Sequence, residues 1–258
     1  MTQLLSGKNI VIMGVANEKS IAWGIAKSLS GAGANLIFTY ENDRVLKRVT
    51  RLTDTIEGAT VLPCNVTNDA DIDALAEMIR EKYGVLHGLV HSIAFARTEE
   101  LDGMFVTTSR DGFALANDIS AYSLVAVSNR LYPLMTEGGS IMAMTYIGSE
   151  RAMKNYNVMG VAKAALESSV RYLASDLGKH NIRVNAISAG PIRTLAAKGI
   201  RDFSDFHKAV EDACPLPGNV DPDEVGDTAL FLASHLSRGI TGEIIYVDHG
   251  FRSSGVTY

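Results

Sequence analysis

The sequence predicts an α/β fold, a doubly wound parallel sheet of about seven strands with helices on both faces. Three observations predict it. Short apolar runs alternate with longer helical patterns along the 258 residues. Several of those runs lack the polar alternation of a half-exposed strand, as strands covered on both faces do. No linker, low-complexity tract or repeat period interrupts the alternation. Residues 1–258 are therefore read as one domain.

In chain order, the first strand is expected over 9–14 and a helix over 20–30. Strands at 35–40 and 60–64 follow, separated by a helix over 43–55. A helix over 70–83 leads to a strand at 88–93, and a long helix over 110–132 to a strand at 140–145. A helix over 156–178 precedes a strand at 183–188, and a helix over 221–236 precedes the last strand, 243–247. Right-handed crossovers put these helices on both sheet faces. Residues 191–219 resist the pattern and read as a loop plus a short helix or two after strand six. A long insertion at the carboxyl end of a strand is a candidate substrate lid.

Composition excludes several functions. At 47% apolar and 21% charged residues, the chain suits a large soluble domain. No apolar run is long enough to span a bilayer. MTQLLSGKNI has no basic n-region or long apolar stretch, so no secretory signal is expected and a cytoplasmic location is. A net charge of −5 without a basic cluster argues against nucleic acid. Cys64 and Cys214 do not make a disulfide framework and are expected as buried thiols. His87 and His91 lie in turn and strand without partners at ligand spacing, so no metal is expected.

The first strand–helix junction, 14-GVANEKSIAWGIAKSL-29, has the character of a nucleotide site. Gly14 suits a tight turn, Ser20 stands at the N-cap position, and Gly24 is small enough for helix and strand to approach closely. Such a unit aims free N–H groups and the positive helix end at a diphosphate. The glycine spacing is not the common G-x-G-x-x-G, and a plain strand–helix turn stays open on this motif alone. Glu41 follows the second strand, where an acidic group accepts from adenosine ribose hydroxyls and repels a 2′-phosphate. That favours NADH over NADPH, with Arg44 close by as the countervailing residue, and a solvated helix start stays open on this residue alone.

The other end is 144-MTYIG-148 followed by 156-YNVMGVAKAAL-166. A separation of seven on an α-helix returns to within about 20° of the same face, about 10.5 Å along. Tyr156 and Lys163 can thus line one groove, the ammonium near cofactor hydroxyls and the phenol donating to an oxygen that gains charge. A Tyr–Lys pair at this spacing also arises by chance, and lysines are mostly solvated. The small apolar flanks Gly160, Val161, Ala162, Ala164 and Ala165 point Lys163 inward instead.

These blocks resemble the short-chain dehydrogenase/reductase superfamily, and one branch in particular, bacterial enoyl-acyl carrier protein reductase. The resemblance is carried by Gly14 with 20-SIAWGIA-26, 91-HSIAFA-96, Tyr146, 156-YNVMGVAKAAL-166, 185-NAISAGPIRTLAAKGI-200 and 241-TGEIIYVDHGF-251. It implies a Rossmann-like fold and the NADH-dependent reduction of enoyl thioesters on acyl carrier protein. It implies that Tyr156 stabilises the enolate, that Lys163 holds the nicotinamide ribose, and that Tyr146 is a second active-site tyrosine. It assigns Gly14, Ser20 and Ile21 to the pyrophosphate, Asn65 and Val66 to the adenine pocket, and Ile93 to a strand-four contact. It assigns Ile192 to the carboxamide, Thr194 to the phosphates and Ala96 to the acyl substrate. Relatives commonly carry Asp at position 65, and Asn65 is expected to accept from the adenine amine with less charge.

Ordinary short-chain reductases use Tyr-x3-Lys. Four residues before Lys163 stands Met159, which has no proton to donate. Ketoreduction by that device is disfavoured, although a 3-oxoacyl substrate would revive it. An idle dinucleotide sensor is the third reading. The resemblance also implies a homotetramer, for which the helices at 110–132 and 156–178 have spare apolar positions. Lys198, Arg201 and Lys208 are available to an acidic carrier protein, interrupted by Asp202 and Asp205.

Overall fold

The computed structural model describes residues 3–254, and the Lys198 side chain lies outside the described residues. Seven strands form one sheet in the order β3-β2-β1-β4-β5-β6-β7, every neighbouring pair parallel. They are β1 (Asn9–Met13), β2 (Asn35–Tyr40), β3 (Thr60–Pro63), β4 (Gly88–His91), β5 (Gly139–Thr145), β6 (Ile182–Ala189) and β7 (Ile244–Val247). All seven expected strands are present, with ends shifted by at most two residues.

Two helical layers cover the sheet, and each strand serves both. Val11 and Met13 of β1 join Ile141 and Ala143 of β5 under helices α3 (Asp69–Tyr83), α5 (Ser123–Leu131) and α6 (Asn157–Leu177). Ile10 and Ile12 join Met142 and Met144 under α1 (Ile21–Gly31), α2 (Asp43–Thr53) and α8 (Pro222–Ala233). Successive side chains on a strand point to opposite faces, which is why these runs are apolar throughout. Full burial of each Ile or Leu contributes about 2 kcal/mol.

Helix starts are set locally. Asn42 caps α2 through the Val45 N–H, and Asn68 caps α3 through the Ala70 N–H. Ser109 caps α4 (Arg110–Asn117), and α8 carries a full capping box from Asp221 and Glu224 behind Pro222. Helix α1 differs. Ser20 stands at its N-cap but makes no capping bond, and the first turn holds no acidic residue.

Two expectations are corrected. The helix over 110–132 is broken: α4 and α5 are joined by a π-helical turn, Asp118–Tyr122. The buried Ser120 hydroxyl accepts from the Phe95 N–H at 3.0 Å and donates to the Phe95 carbonyl at 3.1 Å. The helix widens to reach the chain leaving β4. Gly24 serves a helix–helix approach and not a helix–strand one. A Cβ there would lie 2.2 Å from the Pro222 carbonyl oxygen, and a Cβ at Gly226 would lie 2.6 Å from the Gly24 oxygen. The 191–219 insertion folds as a 3-10 turn, Ala196–Gly199, and one helix, α7 (Phe203–Ala213).

Because every strand runs the same way, the carboxyl ends of β1 to β6 share one edge. That edge carries Gly14, Glu41, Asn65, Ile93, Tyr146 and Ile192 along its length. The α1–α8 contact that braces it is intolerant of volume. Gly24→Ala is expected to destabilise the protein by about 2 kcal/mol or more, read as a lower denaturation midpoint in urea.

Candidate active site

The reactive end is built from the turn that joins β5 to α6. Tyr146 leaves β5 with extended backbone, and Tyr156 stands at the N-cap of α6. The two half-buried rings meet edge to face, centroids 5.0 Å apart at 69°. Two glycines make room for this. A Cβ on Gly148 would fall 2.5 Å from Tyr156 Cδ1, and one on Gly160 would fall 2.6 Å from the Gly148 oxygen. The turn therefore lies directly on the first turn of α6, and the Tyr156 ring fills the slot between them.

Lys163 is 5% exposed, and its Nζ donates to the Met144 carbonyl at 2.7 Å. Burial pushes its pKa down to about 8, against the opposing pull of Glu167. Burial raises the Tyr156 phenol above its usual range, and Tyr146 and Glu167 add to the rise. Burial likewise raises Tyr146. Both phenols therefore keep their protons at neutral pH, and Lys163, its pKa lowered to about 8, keeps its charge there.

Glu167 belongs to this cluster, and the sequence reading did not single it out. It lies one turn beyond Lys163 and is 7% exposed. Its Oε1 accepts from Thr145 Oγ1 at 2.7 Å and from Ser149 Oγ at 2.6 Å, on either side of Tyr146. The available signal was an acid four residues after a lysine in an otherwise small and apolar helical stretch.

His91, expected without a metal role, is fully buried, with Nε2 2.7 Å from Ser123 Oγ. Burial, with Lys163 nearby, lowers its pKa to about 3. The ring is neutral at working pH. His87 Nδ1 accepts from the Asn9 N–H at 3.1 Å and Nε2 faces Glu137. Among the described residues no group of three or more His, Cys, Asp or Glu is placed to hold a metal. Cys64 is a free, buried thiol pushed up to about 12 by burial and by Asp71. Cys214 is free and half-buried.

The nucleotide end has a formed cradle. Gly14 has φ +94°, and a Cβ there would fall 2.0 Å from the Ser92 carbonyl oxygen. No other residue fits. The Ser20 hydroxyl accepts from Ala16 N at 3.0 Å and Asn17 N at 3.1 Å. It thus shapes the loop and leaves the start of α1, at Ile21, without a side-chain cap. An uncapped positive helix end behind a glycine turn suits a diphosphate, so the residues present fit a dinucleotide. Glu41 is exposed after β2, beside the exposed Arg44. Asn65 differs from expectation: its Oδ1 accepts from both the N–H and the hydroxyl of Thr67, which occupies both lone pairs. Val66 and Ile93 are half-buried against the core beneath the α3 layer. Ala96 is half-buried beside Phe95, which is 49% exposed. Ile192 is buried, and Thr194 Oγ1 accepts from the Ala197 N–H at the start of the 3-10 turn. Of the basic residues on the insertion, Arg201 is engaged by Asp102 at 3.0 Å.

A parallel 3-2-1-4-5-6-7 sheet, a glycine cradle under an uncapped helix and a Tyr–Lys pair on the helix after β5 define a dinucleotide-dependent reductase of the short-chain class. Residues 14–252 match the family described as enoyl-(acyl carrier protein) reductase. The chain belongs to that family. It is 58% identical to the NADH-type enoyl-acyl carrier protein reductase of Bacillus cereus, covering 98% of this chain and 100% of the relative. It is 52% identical to the NADPH-type enzyme of Staphylococcus aureus, covering 96% and 98%. The fold matches a crystal structure of the Bacillus cereus enzyme with NADP+ and indole naphthyridinone, with a TM-score of 0.97 and 57% identity over 99% and 100% of the two chains. It also matches the Aquifex aeolicus enzyme, with a TM-score of 0.96 and 47% identity over 98% and 100%.

The Gly148 slot carries a prediction. Gly148→Ala displaces the Tyr156 ring and is expected to lower turnover about 100-fold, because ångström-scale misplacement of a reacting group has that effect. Steady-state kinetics on the folded variant would read it.

Proposed function

We propose that this chain reduces the trans-2 double bond of enoyl thioesters carried on acyl carrier protein, using NADH, in the last step of the fatty acid elongation cycle. The carrying observation is the seven-residue separation of Tyr156 and Lys163, with the buried Met159 in the position an ordinary ketoreductase gives to its donor. In a conjugated thioester, charge appears on an oxygen further from the site of hydride addition than a ketone oxygen is. A phenol displaced along the helix suits that oxygen.

When bound, the reduced nicotinamide supplies the hydride that the substrate's β-carbon receives. The protein's own part is electrostatic and positional. The Tyr156 O–H donates to the thioester oxygen as it gains charge, and its raised pKa keeps the proton in place. Lys163 holds the nicotinamide ribose and adds positive potential. Tyr146, edge-on to Tyr156, orients the substrate or supplies a proton. Gly14, Ser20, Ile21 and Thr194 serve the phosphates, Glu41 the adenosine ribose, and Val66 the adenine, while Asn65 holds its own turn through Thr67. Ile93 contacts the cofactor from the end of β4, the Ile192 backbone holds the nicotinamide carboxamide, and Ala96 borders the acyl chain. The 191–219 insertion acts as the lid. Its Lys208, with Lys198, meets the acidic carrier protein.

A second cofactor reading has specific support, since the Bacillus cereus relative was solved with NADP+. Glu41 favours NADH here, and Arg44 is the residue through which NADPH would enter. The assembly proposed is a homotetramer in the cytoplasm. An open groove on α5 and α6 lined by Val125, Ala165, Tyr172 and Leu173, with Tyr172 73% exposed, supports self-association. Among the described residues no helix is long and apolar enough to cross a membrane.

The deciding assay follows loss of reduced nicotinamide absorbance with a trans-2-enoyl thioester, using NADH and NADPH separately, beside a 3-oxoacyl thioester. Turnover of the enoyl substrate with NADH is expected. Turnover of the 3-oxo substrate alone would overturn the reading. Tyr156→Phe is expected to lower kcat about 100-fold with little change in NADH affinity, and Lys163→Ala to weaken NADH binding, read by fluorescence titration. The pH profile has a definite sign. Lys163 acts as the cation, so kcat/KM should be level below about 8 and fall as pH rises through that value. Glu167→Gln removes the anion that sustains the ammonium, and the falling limb should move to lower pH.

A further inference from the structure

Two asparagines flank Tyr156, and both have left-handed backbone, Asn155 at φ 60° and Asn157 at φ 35°. Few residues besides glycine tolerate that region, and asparagine is one of them. Such strain persists where surrounding contacts hold it. Here those contacts run outward from the ring between them. Asn155 is 7% exposed, and its Nδ2 donates to the Arg201 carbonyl on the insertion at 2.9 Å. Asn157 Nδ2 donates to the Asp102 and Gly103 carbonyls, at 3.3 and 3.2 Å, on the segment after β4. Arg201 closes the third side through Asp102 at 3.0 Å. The triangle borders a cavity of about 240 Å³ lined by Leu101, Asn155, Ile200 and their neighbours.

The three sides are not equal. The Arg201–Asp102 pair is exposed on both partners, at 68% and 46%, and exposed pairs are weak. The Asn155 side chain is buried, and loss of its part-buried bond leaves a polar group unpaired next to Tyr156 in the chain. We propose that Asn155, assisted by Asn157, is a positioning residue that makes the placement of the Tyr156 phenol depend on the insertion and the post-β4 segment being seated. An insertion that lifts away withdraws the Arg201 carbonyl. The left-handed backbone at Asn155 then loses the contact that holds it, and the next residue, the donor, loses its aim. Alignment of the donor and closure over the acyl chain become one event. This deepens the reading of Tyr156 as the donor and rests on it.

The test is a double-mutant cycle of Asn155→Gly with Tyr156→Phe. Glycine keeps the left-handed backbone strain-free and deletes the bond together with the side chain, and Asn155→Asp deletes the bond while keeping the side-chain volume. Asn155→Gly is expected to lower kcat for a trans-2-enoyl thioester about ten-fold, with NADH affinity within about two-fold of the parent. In the Tyr156→Phe background the same change should add less than about two-fold, because it acts through the phenol. Asn155→Asp, which replaces the donor by a carboxylate, should match Asn155→Gly. If Asn155→Gly fails to bind NADH, Asn157→Gly carries the same comparison. Full kcat in Asn155→Gly, or an equal loss with and without the phenol, overturns the inference while leaving Tyr156 as donor. Full turnover in Tyr156→Phe alone overturns both.

Discussion

A single buried ammonium organises this end of the molecule. Lys163 sits inside the protein on α6, and a charge held there is costly unless polar groups surround it. The Met144 carbonyl provides one partner and the Glu167 carboxylate the opposite charge. That carboxylate is itself buried and needs donors, which Thr145 and Ser149 provide. Each requirement ties α6 more firmly to the end of β5. Tyr146 and Tyr156 are set on the segment caught between these ties, so their placement follows from keeping one charge inside the protein.

Close approach is the second constraint. The ties across β5 and α6 form only if the chain after β5 lies flat on the helix, and Gly148 and Gly160 allow that. The same device recurs at the nucleotide end, where Gly14 lies against Ser92, and behind it, where Gly24 and Gly226 let α1 and α8 touch. The sheet thus delivers its loops to one edge, and glycines at these crossings let the elements lie in direct contact.

Most of the architecture was legible because it rests on local pattern. Apolar runs of strand length located all seven strands, since strands covered on both faces cannot carry polar alternation. The turn at Gly14, the start of α6 at Tyr156 and the inward setting of Lys163 were legible from position and spacing. What escaped depends on partners far along the chain. Nothing near Gly24 announces Pro222 as its neighbour, and Glu167 reads as an ordinary surface acid until Thr145 and Ser149 fold over it. The Asn65 oxygen was expected to face a ligand, but a threonine two residues on takes it first. The break in the long helix escaped because its cause, Phe95, lies 25 residues before Ser120.

That break has a consequence for how the chain tolerates changes of length. A π turn holds about one residue more than regular winding needs, and each residue rotates an α-helix by about 100°. The surplus residue within Asp118–Tyr122 therefore sets the rotational phase of α5. Leu124, Val127 and Leu131 face the sheet only in that phase. A one-residue deletion here would give a more regular helix and a worse protein, turning three leucine and valine side chains out of the core at once. Insertions and deletions elsewhere on the surface are absorbed by loops, whereas this turn carries the length of the chain as a phase that everything downstream on the helix inherits.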